Sequence, residues 1–295
     1  MRGCGGVHAF GPFRGGHVER AFSVFWSMGR LPWATCLMAA AVMTGVVART
    51  SAIEPKIIGW HIMGEERAAI VYPPAVQPKG VKAPLIFVFH GHGDNAWFAT
   101  EQFPFQTLWP EAIVVFPQGL PTQSASDPKG ERRGWQHQPG EMKDRDLKFF
   151  DAMLRTMRSK FRVDDQRIYA AGFSNGGFFD YILWARRGNV FAAFVPCAAA
   201  LRAPLQIAMP KPVFVIAGEK DDRVPFTEQR KTIAMLRQVD GCASEGKASG
   251  DPRAMRYESS TAAPVVAFVH PGGHAVPPVT RALMTEFLQQ QTLRQ

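Results

Sequence analysis

Hydrophobic residues along most of this chain fall into short continuous runs separated by polar loops and amphipathic stretches. Six runs of four to seven apolar residues stand out between residues 84 and 269, and they are Pro84–Phe89, Ala112–Phe116, Ile168–Ala171, Phe191–Cys197, Pro212–Ala217 and Val265–Val269. An uninterrupted apolar run of this length is typical of a β-strand that is covered on both faces. The pattern therefore predicts a buried sheet of at least six strands.

Helical spacing fills the intervals between these runs. From Asp144 to Phe161 the apolar residues recur every three or four positions, which places them on one face of a helix. Further helices are predicted over residues 177–184, 226–239 and 279–290, and another after residue 95 as far as Leu108. Residues 242–253 are predicted to be a polar loop. Strands that alternate with helices indicate an α/β fold with a mostly parallel, doubly wound sheet. Ahead of it, residues 57–63 and 68–72 flank Gly64 as an antiparallel hairpin.

Composition and charge narrow the class of protein. The chain has 295 residues, of which 46% are hydrophobic, so it is long enough to bury a large core. No internal repeat or break in composition divides the mature region, which predicts a single domain over residues 53–295. The formal net charge is +9, but residues 1–52 contain five arginines against one acid, Glu19, leaving +5 for the remainder. No basic run with interleaved aromatics is present, so the charge does not favour nucleic-acid binding.

The N-terminal 52 residues are predicted to be an extension and a secretory signal peptide. Leu31 to Ala48 is apolar and almost uncharged, follows Arg30, and precedes the small residues Thr50-Ser-Ala52. The alternative is an uncleaved membrane anchor, because eighteen residues just suffice to span a bilayer. Helix-breaking residues within the segment favour cleavage and export to the periplasm or medium, with no stable membrane association afterwards. Met28 is the more ordinary start for such a signal than Met1.

Cysteine and metal-ligand patterns add little. Cys4 and Cys36 fall in the segment predicted to be removed, which leaves Cys197 and Cys242; the sequence does not establish whether these two pair. No C-x-x-C or H-E-x-x-H spacing occurs, so no metal site is predicted. The chemistry proposed below requires no cofactor.

The strongest chemical motif is Gly172-Phe-Ser174-Asn-Gly176, which follows the Ile168–Ala171 run and precedes a helix. This G-x-S-x-G pattern between a strand and a helix is the nucleophile elbow, a sharp turn that exposes a strained serine. Glycine on either side permits the close approach of the backbone. The pentapeptide alone is weak evidence, since an ordinary glycine-rich turn also satisfies it. The sequence predicts Ser174 as a nucleophile only if a base and an acid accompany it.

A base and an acid follow the serine in the expected order. In hydrolases with this elbow, the acid and then the histidine lie after later strands, each at the carboxyl end. Asp221 and Asp222 follow the Pro212–Ala217 run. His270 comes directly after the Val265–Val269 run, and His274 lies four residues further on. A serine hydroxyl needs such a base to take its proton, and the base needs a carboxylate to hold its tautomer. The residues themselves leave Asp221 and Asp222 as competing acids.

Backbone amides are expected to stabilise the oxyanion of the reaction. One N–H group should come from Asn175, directly after the serine. The other should come from the glycine-rich loop His90-Gly-His92 after the first buried strand, and His92 is the candidate there. His90 is expected to brace this loop. Trp135 and Gln136, on the long polar loop over residues 117–140, are candidate substrate-binding residues, with simple loop packing as the alternative.

Taken together, these motifs resemble the bacterial poly(3-hydroxybutyrate) depolymerase and feruloyl esterase-like group of the α/β-hydrolase superfamily. The resemblance runs from about Pro84 to the C-terminal helix and includes Gly134-Trp-Gln136 and residues 146–151. It implies that Asp221 is the acid and His274 the base, with His270 structural. Many members of that group carry cysteine where this chain has His92. Because this chain has histidine there, the disulfide usual near that position in the group is not expected. The oxyanion role of His92 is unaffected, because its backbone amide is the donor.

The sequence as a whole predicts an exported serine esterase. The resemblance implies a Ser174, His274 and Asp221 triad acting on hydroxyalkanoate oligomers or on feruloyl or short-chain esters. Two alternatives remain open: a peptidase of the same fold, and a non-catalytic binding protein on a hydrolase scaffold. The second requires a missing triad member, and none is missing. No separate adsorption module is evident in the sequence, which favours soluble esters over solid polymer.

Overall fold

The computed structural model describes residues 54–293, and within them the apolar runs become strands of a large sheet. The segment Leu31–Ala48 with its predicted cleavage site, and Cys4 and Cys36, lie outside the described residues. The twelve strands of the described part are β1 (Lys56–Ile62), β2 (Glu65–Tyr72), β3 (Ala83–Phe89), β4 (Ile113–Pro117), β5 (Leu120–Pro121), β6 (Arg133–Gly134), β7 (Val163–Phe173), β8 (Ala193–Cys197), β9 (Val213–Gly218), β10 (Lys247–Ser249), β11 (Asp251–Tyr257) and β12 (Val265–His270).

Ten of these strands form one sheet in the order β1-β2-β4-β3-β7-β8-β9-β12-β11-β10. The six central strands, from β4 to β12 in that order, are mutually parallel. Both edges are antiparallel hairpins, β1–β2 on one side and β10–β11 on the other. The predicted α/β-hydrolase architecture, with a mostly parallel sheet and an N-terminal hairpin, is confirmed.

Helices cover both faces of the sheet, as doubly wound topology requires. The six α-helices of the described residues are α1 (Ala96–Gln102), α2 (Phe105–Leu108), α3 (Arg145–Lys160), α4 (Asn175–Arg187), α5 (Phe226–Val239) and α6 (Thr280–Gln289). One core lies beneath α3, α4 and α5 and includes Leu85 and Phe87 of β3. The other lies beneath α1, α2 and α6 and includes Ile86 and Val88 of the same strand. Successive β3 residues thus enter opposite cores, which explains why the run is apolar throughout.

Three local predictions differ from the structure. Residues 242–253 were expected to be a polar loop, but their second half contributes to β10 and β11. Antiparallel strands can face solvent, and in β11, which lies between β12 and the edge strand β10, only Ala254 is buried, so the stretch carries no apolar run. The helix expected up to Leu108 is divided into α1 and α2 around Pro104, which lacks the N–H that would continue it. The long loop contains a small ladder, β5 with β6.

None of the helices within residues 54–293 is long and apolar enough to cross a membrane.

Candidate active site

Ser174 occupies the turn between β7 and α4, as the elbow motif predicts. Its backbone has φ 53° and ψ −115°, a conformation that costs a non-glycine residue of order 1–3 kcal/mol. Two backbone hydrogen bonds hold it there. The Ser174 N–H donates to the carbonyl of Cys197 (2.8 Å), and the Ser174 carbonyl accepts from the N–H of Phe178 (2.9 Å). The strand and the helix together therefore impose the strained turn.

Close backbone approach explains the two glycines of the motif. A Cβ atom at Gly176 would overlap the carbonyl oxygen of Phe89 at the end of β3. A Cβ atom at Gly172 would overlap the backbone of Gly176 itself. Neither overlap can be relieved by moving a side chain, because both involve backbone atoms. The elbow can pack against β3 only with glycine at these positions.

Asp221 and His274 are hydrogen-bonded to each other at the carboxyl ends of β9 and β12. His274 Nδ1 lies 2.8 Å from Asp221 Oδ2 and 3.0 Å from Asp221 Oδ1. Both side chains are largely shielded from solvent: His274 is 9% exposed and Asp221 is 0% exposed. A carboxylate only accepts, so Nδ1 carries the proton and Nε2 keeps its lone pair. This geometry leaves Nε2 available as a base.

The Asp221 carboxylate is fixed by three further donors. Oδ1 accepts the backbone N–H groups of Arg223 (2.9 Å) and Val224 (2.8 Å), and Oδ2 accepts from Gln229 Nε2 (3.0 Å). Asp222 is exposed to solvent and has no contact with His274 among the hydrogen bonds and ion pairs of the described chain. Of the two acids that the sequence leaves open, the structure brings Asp221 to the histidine.

Ser174 and His274 line the same cavity. The imidazole packs against the ring of Phe173, the residue before the serine, with ring centroids 4.8 Å apart. The Ser174 hydroxyl makes no side-chain hydrogen bond to α4, and within residues 54–293 it makes none to His274, whose ring is hydrogen-bonded to Asp221. Asp94 lines the cavity too, and burial raises the pKa of its carboxyl. A free serine hydroxyl and an oriented imidazole therefore face a common space.

The two residues whose amides are expected at an oxyanion site line this cavity. Within residues 54–293, neither the N–H of His92 nor that of Asn175 donates to another protein group. Asn175 is the first residue of α4, where helix N–H groups have no partner within the helix and the helix dipole favours negative charge. Both residues also border the cavity that contains Ser174. The structure thus places two unused donors near the serine.

The side chains of these two residues are tied to one segment of the long loop. The Trp135 N–H donates to Asn175 Oδ1 (2.6 Å), and Asn175 Nδ2 donates to the Trp135 carbonyl (3.1 Å). His92 Nε2 lies 3.2 Å from Asp127 Oδ2. Between them sits Gly134, where a Cβ atom would fall 2.7 Å from both Asn175 Oδ1 and His92 Nδ1. Residues 127–135 therefore hold the side chains of His92 and Asn175, whose backbone N–H groups are the expected oxyanion donors.

Asp127 is itself held firmly. Its Oδ2 accepts the backbone N–H of Arg132 (2.8 Å), and the Arg132 guanidinium lies 3.6 Å from the same oxygen. The Arg132 N–H is the main reason why the pKa of the Asp127 carboxyl is lowered, so it stays ionised as a partner for His92. No motif in the sequence marks Asp127 or Gln229, because both contact the site only through the fold.

Trp135 and Gln136, predicted as substrate-binding residues, are fully buried and do not line the cavity. The Trp135 indole N–H donates to the carbonyl of His90 (2.9 Å), and its ring stacks near Phe179. Gln136 donates its backbone N–H to Asp146 Oδ2 (2.8 Å). The structure places both side chains behind the cavity wall, where they support the loop.

His90 and His270 have structural surroundings. His90 Nδ1 donates to the Gly91 carbonyl (2.7 Å), while Nε2 accepts from the Gly119 N–H (3.0 Å). Burial lowers the pKa of His90 to about 4, so it is neutral and braces the loop as predicted. His270 Nδ1 accepts the Gly272 N–H (3.1 Å) and helps to shape the turn before His274.

The cavity itself has a volume of about 1090 Å³. Three aromatic rings contribute to its walls, those of Phe98, Phe173 and Phe178. Its charged lining residues are evenly divided between acids and arginines, and they are Asp94, Glu141, Asp222, Arg132, Arg202 and Arg223. Mixed apolar and charged walls suit a ligand that has both kinds of surface.

Cysteines and metal ligands take no part in this arrangement. Cys197 and Cys242 are both free thiols, which answers the question that the sequence leaves open. In the described part of the chain, no group of three or more His, Cys, Asp or Glu side chains is arranged to hold a metal ion. The absence of a cofactor requirement stays a prediction.

The class of protein follows from a comparison with known families. The family described as "Esterase: Putative esterase" matches residues 61–292, which is most of the chain. The chain therefore belongs to this esterase family, and the predicted enzyme class, a carboxylic ester hydrolase, is confirmed at the level of the family.

Individual relatives agree with this assignment. The chain is 25% identical over 186 residues to the bifunctional acetylxylan esterase/xylanase XynS20E of Neocallimastix patriciarum, covering 62% of this chain and 25% of the relative. It is 28% identical over 204 residues to feruloyl esterase B of Piromyces equi, covering 61% of this chain and 37% of the relative. The matched region thus spans well under half of these curated relatives.

Among solved structures, an acetyl xylan esterase from Aspergillus awamori superposes with a TM-score of 0.59 at 13% identity, covering 79% of this chain and 99% of that one. At this identity the likeness establishes the fold. The predicted resemblance to a feruloyl esterase-like group of α/β-hydrolases is confirmed. The poly(3-hydroxybutyrate) depolymerase part of that prediction stays a prediction.

Proposed function

We propose that this protein hydrolyses carboxylic esters by acyl transfer, with Ser174 as nucleophile, His274 as general base and Asp221 as the residue that orients the histidine. The observation that carries the proposal is the Asp221–His274 hydrogen bond of 2.8 Å, at a cavity shared with a serine held at a strained elbow. Strain of this kind persists only where the surrounding structure enforces it, and it concentrates at functional sites.

The first half of the reaction forms an acyl-enzyme. As the Ser174 oxygen bonds to the ester carbonyl carbon, its proton passes to His274 Nε2, and the carbonyl oxygen becomes an oxyanion. Asp221 stabilises the imidazolium that results, because its carboxylate already accepts the Nδ1 proton. Collapse of the tetrahedral intermediate breaks the bond to the alcohol, which leaves with the proton from His274.

The oxyanion is held by the N–H groups of His92 and Asn175. Within residues 54–293 neither N–H donates to another group, so no existing hydrogen bond has to be broken before the charge develops. The N-terminus of α4 adds a fixed positive potential at the same place.

Water completes the cycle. His274 takes a proton from a water molecule that attacks the acyl carbonyl, a second oxyanion forms at the same two amides, and the carboxylic acid is released. Ser174 recovers its proton from His274. Every proton lost in one half of the cycle is returned in the other, so the protein ends unchanged.

For substrates, we favour soluble feruloyl-type, short-chain or hydroxyalkanoate esters. Relatives named as feruloyl and acetylxylan esterases support the first two. A cavity of about 1090 Å³ with aromatic walls admits an aromatic acid or a short oligomer.

The proposal is tested by comparing the wild type and Ser174→Ala on a series of 4-nitrophenyl and ethyl esters, with the matching amides alongside. We expect ester hydrolysis by the wild type and a loss of roughly 10³-fold or more in kcat for the variant. Hydrolysis of the amides in preference to the esters would instead indicate a peptidase. Equal activity in the variant would overturn the assignment of Ser174.

We further propose that residues 53–295 form the catalytic domain and that residues 1–52 direct export. The apolar segment Leu31–Ala48 between Arg30 and Arg49 supports this. N-terminal sequencing of the protein recovered outside the cytoplasm should find a start near Arg49 or Ile53. Recovery of the intact segment from the cytosolic fraction would contradict export.

A further inference from the structure

Arg202 is a cation at the catalytic cavity without an ion-pair partner among residues 54–293. It is the only charged residue between Val195 and Pro210, so its own segment offers no counter-charge. In the described part of the chain no carboxylate lies within 4.0 Å of it, and its side chain donates no hydrogen bond. The residue nevertheless lines the cavity that contains Ser174 and His274.

The guanidinium of Arg202 has a defined position. It lies over the ring of Phe178, with 3.9 Å between its central carbon and the ring centroid. Stacking occupies the face of the guanidinium and leaves its N–H edge free, which is the edge that pairs with a carboxylate. Phe178 is only 7% exposed and belongs to the core beneath α4, so the platform is rigid.

This platform is close to the reacting serine. Phe178 lies four residues after Ser174, and its N–H donates to the Ser174 carbonyl. Residues four apart on a helix are neighbours on the same face, about 5–6 Å apart. Ser174 directly precedes α4, so Phe178 lies about one turn from it, and a group bound at the Arg202 edge shares the cavity with the serine.

Each of the two other arginines of the cavity acts on a carboxylate. Arg132 Nη2 donates to the Ser126 carbonyl (2.6 Å), and Arg132 also faces Asp127. The side chain of Arg223 makes no ion pair or hydrogen bond within residues 54–293, but its charge acts on the Asp94 carboxyl, whose pKa burial raises and nearby positive charge lowers. Among residues 54–293 no carboxylate acts on Arg202 in this way, and burial lowers the pKa of its guanidinium.

We propose that Arg202 binds a carboxylate carried by the ester substrate, so that the preferred substrates are anionic esters. The inference rests on the proposed ester hydrolysis and adds a substrate class to it. The planar fork of an arginine matches a carboxylate with two parallel hydrogen bonds, and the neighbouring aromatic wall accommodates the apolar part of the molecule.

The carboxylate has two chemical sources, which matched substrates separate. In monoethyl succinate the charge lies on the acyl side of the ester, and ethyl succinamate is its neutral counterpart. In 3-acetoxypropanoate the charge lies on the alcohol side, and 3-acetoxypropanamide is the neutral counterpart. Each pair differs in little except charge, so the ratio of kcat/KM within a pair measures the contribution of the carboxylate.

For at least one pair we expect the wild type to prefer the carboxylate by about tenfold or more, as a charge-assisted hydrogen bond at a partly exposed site would give. Arg202→Gln should abolish that preference while leaving kcat/KM for the neutral ester within about threefold. Arg202→Lys should restore part of it, since lysine keeps the charge but loses the fork.

Arg223→Gln is the matched control, because it removes the same charge from the same cavity. It should leave the preference in place. The proposal is overturned if the wild type shows no preference in either pair, or if Arg202→Gln retains it, or if Arg223→Gln removes it equally. Failure of every neutral and charged ester to react would instead count against ester hydrolysis itself.

Discussion

Asn175 and Trp135 are joined by a reciprocal pair of hydrogen bonds, from the Trp135 N–H to Asn175 Oδ1 at 2.6 Å and from Asn175 Nδ2 to the Trp135 carbonyl at 3.1 Å. The pair fixes the first residue of α4 to a loop forty positions earlier in the chain. Because the Asn175 amide is a proposed oxyanion donor, the position of that amide depends on the loop.

Gly134 is the most sensitive point of this loop. A methyl group there would lie 2.7 Å from Asn175 Oδ1 and from His92 Nδ1, so Gly134→Ala should displace both residues that carry the oxyanion donors. We expect kcat to fall about 10- to 100-fold with KM nearly unchanged, because the loss concerns the transition state. Affinity for a boronic acid transition-state analogue should fall by a similar factor.

Gly59→Ala provides the control, since a Cβ atom in β1 would meet nothing closer than 3.8 Å. Gly59→Ala should leave both kcat and the affinity for the boronic acid unchanged. If Gly134→Ala raised KM without lowering kcat, the segment would serve ground-state binding and the bracing role would be wrong.

The two neighbouring aspartates should differ sharply. Asp221→Asn removes the charge that orients His274, and we expect kcat/KM to fall by roughly 10³-fold or more. Asp222→Asn changes an exposed side chain and should alter kcat/KM by less than about threefold. Steady-state kinetics of the two variants on one activated ester measures this difference in kcat/KM. A severe effect of Asp222→Asn with a mild effect of Asp221→Asn would show that the acid is misassigned.

Strain at Ser174 should be measurable as stability. Glycine accepts φ 53° and ψ −115° without penalty, whereas alanine does not. We therefore expect Ser174→Gly to have a free energy of unfolding about 1 kcal/mol higher than Ser174→Ala, although both are inactive. Urea denaturation of the two variants gives this difference directly. Equal stability, or a more stable alanine variant, would mean that the turn stores no strain.

A buried carboxyl away from the cavity should make stability depend on pH. Asp240 is fully buried, one oxygen accepts the Lys211 N–H at 3.2 Å, and burial raises its pKa to about 8. The folded state then holds a proton that the unfolded state releases near pH 4, so this group's contribution to stability falls as pH rises from about 4 to about 8. Asp240→Asn removes the titration.

Relative to the wild type, Asp240→Asn should gain stability with rising pH, at up to about 1.4 kcal/mol per pH unit across that window. Urea unfolding at pH 5, 6, 7 and 8 measures the trend, with the exposed Asp222→Asn as a control that should show none. A pH-independent difference between Asp240→Asn and the wild type would refute the raised pKa.

The sequence predicts those parts of the fold in which local pattern and burial agree. β3, and β7 from Ile168 onward, are covered on both faces, so their apolar runs identify them, and α3 shows its buried face at helical spacing. β11, next to the edge strand β10, escapes prediction because it buries a single residue, Ala254, and so has no apolar run. Pattern therefore recovers the centre of the sheet better than its edges.

In the candidate site, residues that belong to motifs are foreseeable, and residues that act through tertiary contacts are not. Ser174 lies in a recognisable turn, and the order of strand ends brings Asp221 and His274 within reach. The contact of Asp127 with His92 joins positions 35 apart along the chain, which no local pattern reports. Trp135 belongs to a motif, yet only the structure shows that its ring faces the core.

The central claim is that ester hydrolysis proceeds through an acyl group on Ser174. Rapid mixing with an excess of a 4-nitrophenyl ester, followed by acid quenching and peptide mass spectrometry, tests it most directly. We predict a burst of 4-nitrophenol approaching one equivalent per protein, with the acyl mass on the peptide that contains Ser174 and no burst from Ser174→Ala. An acyl group on a different residue, or an undiminished burst from the variant, would contradict the account.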